Sequence, residues 1–325
     1  MTPAPLKLSR RLLAAAALAA VTPAMAQPWP SRPIRLLVPF PAGGSTDLVA
    51  RALAEPVAGQ LIQSVIVDNR SGAGGLLGSE QVARAPADGY TLLMGGGQNV
   101  LLAALGQARG WDPVADFTPV AIVADIPNVL ATRANSRLRS VADVVREAKA
   151  KPGSLTYASA GIGSASHLVG ELFVRNTGTS LVHVPYRGNQ PALNDLLGGQ
   201  VDLMFSNLAG TLSFMGDGNL RIIALTGAQR TSLAPEVPTF LEQGVRGLEA
   251  GVWMGLLAPK GTETAVVERV SLACNEALSQ PEVVARLRNL GADPAYARPP
   301  AFAARMAAEL AQWQTVVREA QVRVD

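Results

Sequence analysis

The sequence predicts an α/β protein of two lobes, and three observations carry that reading. Strand-like and helix-like runs alternate along nearly the whole chain. Two glycine turns, Pro39 to Asp47 and Gly161 to His167, each follow an apolar strand run and open an amphipathic helix run. No low-complexity linker divides the chain, so two lobes would be joined by short crossings rather than by a flexible tether.

Taken in order, strands are expected at 34–38, 65–67, 91–94, 120–123, 129–132, 155–158, 181–184, 201–205, 221–226 and 252–258. Helices are expected at 46–61, 76–85, 141–149, 164–175, 191–197, 237–243, 264–279, 282–290 and 301–320. Short Val, Ile and Leu runs mark the strands, and apolar residues three and four apart mark the helices. Ser140 and Asp143 form a capping box ahead of Val144. Ala87-Asp88-Gly89-Tyr90 is a turn leading into the third strand. Such alternation implies parallel sheets covered by helices, with ligands beyond the carboxyl ends of the strands, where both glycine turns lie. The first lobe is expected to hold residues 27–125 and 230–325 and the second 126–229. Crossings would fall near 125–128 and 226–230.

Residues 1–26 read as an export signal. Lys7, Arg10 and Arg11 precede an apolar run at 12–21 that is too short to span a bilayer, and Ala24-Met25-Ala26 is a small-x-small cleavage site. The expected mature start is Gln27. Ser9-Arg10-Arg11-Leu12-Leu13 also resembles a twin-arginine signal, which leaves the export route open. The chain has 28 Lys and Arg against 25 Asp and Glu; three of the bases and none of the acids lie in the signal, so the remainder carries 25 of each. A basic footprint for nucleic acid or an anionic membrane is absent. The one cysteine, Cys274, excludes an internal disulfide and reads as a small core residue in a helix. No cysteine stands at the cleavage site to take a lipid. A soluble periplasmic protein is expected.

The glycine turns are the candidate site. Glycine lets backbone approach a ligand closely, and a helix start presents unpaired N–H groups with partial positive charge. Two such turns facing each other would clamp a small anion. Neither carries Lys or Arg, so backbone would do the recognition. Candidates in the first turn are Phe40, Pro41, Ala42, Gly43, Gly44 and Asp47. Those in the second are Gly161, Gly163, Ser164, Ser166 and His167. Plainer roles stand beside these: a tight turn for Gly43 and Gly44, a dipole-stabilising acid for Asp47, a helix cap for Ser164, turn support for His167. The spacing at Gly43-Gly44 is not a dinucleotide fingerprint. Gly72 to Gly75, ahead of a helix, could bind an anion but reads better as a packing turn; Trp253 reads as core and His183 as structural. Arg187 is the candidate cation outside the turns. Two His and one Cys, without paired metal-ligand spacing, argue against a metal site, and no cofactor is expected. A rival reading is an exported α/β hydrolase or lyase using Ser164 or Ser166 with a histidine; the missing G-x-S-x-G elbow argues against it.

Several segments also carry a resemblance. They are Trp29-Pro30-Ser31-Arg32-Pro33-Ile34, the turn at Val38 to Asp47, Asp68-Asn69-Arg70-Ser71-Gly72-Ala73-Gly74-Gly75, Ala87-Asp88-Gly89-Tyr90, Gly161 to His167, Val182-His183-Val184-Pro185-Tyr186-Arg187-Gly188, Asp195-Leu196-Leu197-Gly198-Gly199 and Trp253-Met254-Gly255. In that order they resemble the Bug family of extracytoplasmic solute receptors, the substrate-binding components of tripartite tricarboxylate transporters. The resemblance runs from Trp29 to the C-terminus. It implies a type II periplasmic-binding-protein fold that closes about a hinge on an organic acid, an amino acid or a related carboxylate. It implies no catalysis, a monomer, and a membrane transporter or sensor as partner. In the family the two turns hold one carboxylate, partly through ordered water. This chain departs from the pattern at Gly95-Gly96-Gly97-Gln98-Asn99, where a Ser/Thr-rich turn is usual, in a shortened stretch at 100–110, and at Ser206, where Asp is usual. Gly96, Gly97 and Gln98, together with Arg187, are therefore the candidates for selectivity.

Overall fold

The structure, a computed structural model, describes residues 29–108, 110–216, 218–248 and 252–322. The expected signal, with its cleavage after Ala26, lies outside the described residues.

The described strands form two sheets. In the first, β1 (Ile34–Val38) runs parallel to β2 (Val65–Asn69) on one side and to β3 (Thr91–Gly96) on the other. Strand β4 (Phe117–Ile126) lies further along. The second sheet contains β5 (Asn128–Arg133), β6 (Thr156–Ser159), β7 (Val182–Pro185), β8 (Leu203–Asn207) and β9 (Leu220–Leu225), in the order β7-β6-β8-β5-β9. The chain then returns to the first sheet as β10 (Val252–Pro259) and β11 (Asp293–Ala297), completing the order β11-β4-β10-β3-β1-β2.

Both sheets are mixed, which corrects the expectation of parallel sheets. β10 is antiparallel to β3 and β4, β11 to β4, and β5 to β8 and β9. The reason lies in the crossing: the chain leaves the first sheet along β4 and re-enters it along β10, so these two neighbours run in opposite directions.

Helix α1 (Ser45–Leu61) presents Val49, Leu53, Val57 and Leu61 as one stripe at four-residue spacing. That stripe packs on Ile34, Leu36 and Leu92 of the sheet and on Val267, Val270 and Cys274 of α8 (Thr264–Leu278). Cys274 is fully buried, and burial pushes its thiol up to about 12. Between these lie α2 (Leu76–Ala83), α3 (Gly97–Ala104), α4 (Val141–Ala150), α5 (Ala165–Thr177), α6 (Asn189–Gly198) and the short α7 (Leu212–Gly216). Helix α9 (Pro281–Asn289) and α10 (Pro299–Glu319) end the chain.

α10 serves both sheets. Its Phe302 meets Trp253 of β10 edge-on at 4.8 Å. Further along, Trp313 and Val316 share a core with Leu168, Leu172 and Phe173 of α5. Arg175 and Glu319 add an ion pair at 2.9 Å.

Residues 237–243 form no helix, contrary to the sequence reading. Their backbone pairs with the end of β9 instead: Leu225 N–H donates to the Pro238 carbonyl and Phe240 N–H to the Leu225 carbonyl. The Phe240 ring lies 5.7 Å from Phe173, and Gln243 donates to the Ile223 carbonyl. Tertiary pairing overrides a weak local propensity here. It also holds residues 238–243 against the second sheet, beyond the crossing expected near 226–230. Three elements were illegible: β11, α3 and the short α7. β11 hides behind Asp293-Pro294, residues tolerated on an edge strand. α3 hides behind the glycines at its start.

Candidate functional site

The first turn leaves β1 and enters α1 through Gly44, which has no side chain to cap the helix. The first helical hydrogen bond runs from Leu48 N–H to the Gly44 carbonyl, so the N–H groups of Ser45, Thr46 and Asp47 have no partner within the helix. The turn is held from below by Asp47, which is 1% exposed. Its carboxylate accepts from Gly43 N–H at 2.8 Å, Asn69 Nδ2 at 2.9 Å and Arg51 Nε at 3.0 Å. Asn69 also donates to the Phe40 carbonyl at 3.1 Å. Burial alone would raise the Asp47 carboxyl; the hydrogen bonds from Arg51, Gly43 N–H and Asn69 outweigh it and hold it below its usual value. Gly43, at φ +83°, turns the backbone so that its N–H reaches that carboxylate.

The second turn is wired differently. Ser164 caps α5, accepting from His167 N–H at 3.2 Å and donating to the Gly161 carbonyl at 2.7 Å. Ala160 N–H donates to Ser166 Oγ, Gly161 N–H to Ser159 Oγ and Gly163 N–H to His167 Nδ1, at 3.0, 3.1 and 3.1 Å. Because Nδ1 accepts, neutral His167 carries its proton on Nε2, which faces Glu171 at 3.7 Å. The His167 ring stacks on His183 at 4.0 Å, and Tyr157 stacks on the far side of His183 at 4.8 Å. Tyr157 donates to Glu171 at 2.5 Å and closes the cluster. Burial lowers the pKa of His167, with Glu171 opposing. Burial, then the charge of His167, takes His183 down to about 4. At neutral pH both rings are uncharged. Gly161, at φ +127°, has no room for a side chain: a Cβ would stand 2.9 Å from the Tyr186 carbonyl.

A cavity of about 680 Å³ lies between the sheets. Ile162, Gly163 and Ser164 form one wall; Ala73, Gly74, Leu76, Gln98, Leu102, Leu105, Gly106 and Gln107 form the other. Phe40 adjoins that second wall, its ring 3.2 Å from where a Gly75 Cβ would stand. The cavity thus brings together Gly163, Ser164 and Gln98, with Phe40 behind. Pro41, Ala42 and Gly43 are exposed at the first turn. Gly97 and Gln98 also line a narrow space with Asn128, Ala165 and Glu309. Gly96 ends β3, where its N–H donates to Asn99. Arg187 sits on the exposed turn after β7, outside the cavity. Ser166 and His167 are buried behind the second turn.

Asp47 and His167 therefore organise turns, and their hydrogen-bonding atoms point into protein. Sequence reasoning missed Asn69, Arg51 and Ser159, whose signals are only a strand end, an i,i+4 spacing and a strand end again. It also read Ala73 and Gly74 as packing; they line the cavity, and Ala73 adopts φ +47°, rare for a residue with a Cβ.

A larger cavity, about 940 Å³, opens beside the crossing strands and contains neither turn. Arg305 holds Asp125 at 2.8 Å and Glu309 at 2.9 Å, and Asp293 accepts from Thr231 and Ser232. Arg230 and Arg288 also line it, Arg230 paired with Glu242 outside the cavity.

Nucleophile chemistry finds no support at the second turn. Neither Ser164 nor Ser166 contacts a histidine ring nitrogen; the serine that does, Ser159 with His183 at 2.7 Å, is fully buried. Two sheets, with β4 of one passing into β5 of the other through Pro127 and a polar-backboned cleft between them, define a two-lobed solute-binding protein rather than an enzyme.

The comparisons with known proteins carry this to a family. The tripartite tricarboxylate transporter family receptor model matches residues 49–322, and the chain belongs to this family of periplasmic solute receptors. It is 38% identical over 299 residues to protein BugT of Bordetella pertussis, covering 91% of this chain and 92% of that one. A TctC solute-binding protein from Polaromonas superposes with a TM-score of 0.83 at 30% identity, covering 90% of this chain and 99% of that one. A Rhodopseudomonas palustris protein with adipate superposes with a TM-score of 0.72 at 36% identity, covering 91% of this chain and 99% of that one. Among the described residues no helix is long and apolar enough to cross a membrane.

Proposed function

We propose that this receptor binds one carboxylate of a small organic solute at the uncapped start of α1 and closes its lobes on it. The observation that carries the reading is the pair of turns beside one cavity: free N–H groups at Ser45 and Thr46, and Gly163-Ser164 on the opposite wall. Backbone N–H groups at a helix start favour an anion without requiring a basic side chain. Phe40 to Gly44 shape the first half of the site, and Asp47 fixes it from behind. Gly161, Gly163 and Ser164 shape the second, with Ser166 and His167 fixing it. Gly96, Gly97 and Gln98 lie where selectivity between solutes would be set, and Arg187, exposed outside the cavity, would contribute little.

One lobe comprises residues 27–125 and 252–325 and the other 126–248. Pro127 and the segment after β9 act as the hinge strands, and α10 braces both lobes. The protein is exported, cut after Ala26, works as a monomer and hands its solute to a membrane transporter or sensor. The adipate seen with the Rhodopseudomonas palustris relative makes acids of that size the natural first probes.

Calorimetry and thermal shift against a panel of carboxylates test this. One acid should bind with one-to-one stoichiometry and raise Tm. A well-folded protein that responds to no acid in the panel would refute the reading.

A further inference from the structure

We infer that the far end of the solute carries a second oxygen acceptor, taken in a recess at the base of the cleft where the starts of α3 and α5 meet the side chain of Asn128. This rests on the carboxylate-receptor reading above and says where the rest of the solute goes.

The recess is the narrow space that continues the inter-lobe cavity inward. Gln98 lines both, and Ala165 of the recess follows Ser164 of the cavity. Its volume, about 40 Å³, gives room for a single polar group. Asn128 opens β5 directly after Pro127 and is 3% exposed. Its backbone is used: the N–H donates to Thr226 Oγ1, and the carbonyl accepts from Thr226 N–H. Its side-chain amide makes no hydrogen bond to any described residue. Strand alternation puts that side chain on the face of Leu130, which shares a core with Leu101 and Trp313. Leu101 and Trp313 also line the recess, so the Asn128 amide faces into it. A buried amide without a partner is costly, and a group on the solute would supply one.

Two helix starts open on the same space, one from each lobe. The N–H groups of Gly97 and Gln98 at α3, and of Ala165 at α5, have no partner within their helices. Glu309 closes the far side with both oxygens engaged, Oε2 by Trp253 Nε1 at 2.7 Å and Oε1 by Arg305 Nε at 2.9 Å. The free groups of the recess are thus mainly donors, the three N–H groups and Asn128 Nδ2. They suit the oxygen of a carboxylate, an amide or a ketone. An alkyl end would leave them desolvated and unpaired, which is how a hydrogen-bonding site rejects an analogue that lacks the polar group.

The test varies only the far end of the solute. Calorimetry would compare butyrate, hexanoate and octanoate with the diacids of the same lengths, succinate, adipate and suberate, and with the monoamides of those diacids. At the length that binds most tightly, the diacid or its monoamide should bind at least about tenfold more tightly than the plain acid. The leader of those two tells a carboxylate acceptor from a neutral carbonyl. Asn128→Leu keeps a side chain of similar shape and removes its hydrogen-bonding groups. It should weaken the favoured compound at least about tenfold and the plain acid of that length less than about threefold, with the fold checked by thermal unfolding. In the parent protein the NMR signals of the Asn128 side-chain amide should move with the favoured compound and stay still with the plain acid. A plain acid that binds as tightly as its two partners, an Asn128 amide that never moves, or a folded Asn128→Leu protein that loses both affinities alike or neither would overturn this inference and leave the receptor reading standing. No binding by any of these acids would overturn the receptor reading, and this inference with it.

Discussion

The two glycine turns look alike in sequence and differ in what they do with their N–H groups. The second ties most of its backbone to its own side chains: Ala160, Gly161, Gly163 and His167 donate to side chains of the same turn or its neighbours, while the Ala165 and Ser166 N–H groups at the start of α5 have no partner within the helix. The first leaves the start of α1 uncapped and spends one buried carboxylate, Asp47, on holding the backbone in place. A turn whose donors are used is a rigid wall. A turn whose donors are free is a binding element awaiting an acceptor. Glycine content alone does not separate the two roles; the presence of Ser164, Ser166 and His167 in one and their absence from the other does.

If that contrast holds, damage to the second turn appears as lost stability and damage to the first as lost affinity. The largest effect should come from Gly161→Val, where a Cβ meets the Tyr186 carbonyl and the backbone is left-handed. Strain of this kind costs about 1–3 kcal/mol for the conformation alone, and the clash adds to it, so denaturant unfolding should show a clear loss. Equal stability to the parent would break the account of the second turn. Next comes Gly43→Ala, whose Cβ would meet nothing within 4 Å but whose backbone would shift from φ +83°. Binding should fall about ten- to a hundredfold, the scale of one hydrogen bond to a charged group, with Tm nearly unchanged. A stability loss as large as that of Gly161→Val would erase the contrast.

His167→Ala should cost about 1–3 kcal/mol, since it leaves the Gly163 N–H buried without an acceptor. The same cluster gives a pH signature. Both rings have lowered pKa values in the folded protein, His183 down to about 4 from 6.5. Below pH 6.5 the unfolded chain takes up protons that the folded chain refuses, so stability is full above that pH and falls as pH drops toward about 4. Thermal unfolding at pH 7 and pH 5 should show the drop, and His183→Phe should reduce it. Asp47 works in the opposite region: its pKa lies below 3.8, so the first turn keeps its form throughout this range. Arg187→Ala should matter least. The residue is exposed and outside the cavity, so affinity should change less than about fivefold. A larger change would move the charge recognition from backbone to side chain.

Much of the fold was legible because its strands are short Val, Ile and Leu runs and its helices keep one apolar stripe, as in Val49, Leu53, Val57 and Leu61. What failed failed for identifiable reasons. Residues 237–243 pair with β9 through backbone contacts that no local pattern encodes. β11 begins with Asp293-Pro294, which reads as a turn. Gly95-Gly96-Gly97 disguised the start of α3. The glycine turns themselves were legible, since strand, glycine and helix follow in sequence. Their wiring was not: Asn69 reaches Asp47 from a neighbouring strand and His183 reaches His167 from β7, contacts set by sheet order. Ala73 and Gly74 passed for packing because only the position of the second lobe makes them a wall.

The central claim is that the free N–H groups of α1 take the carboxylate. The most direct test is an amide NMR titration with the tightest acid from the calorimetric panel. The account predicts large shifts at the Ser45 and Thr46 amides, with the Ala160 and Gly161 amides nearly still because their hydrogen bonds are already made. Shifts concentrated at Thr231, Ser232 and Asp293 beside the crossing strands, with Ser45 and Thr46 unmoved, would contradict it.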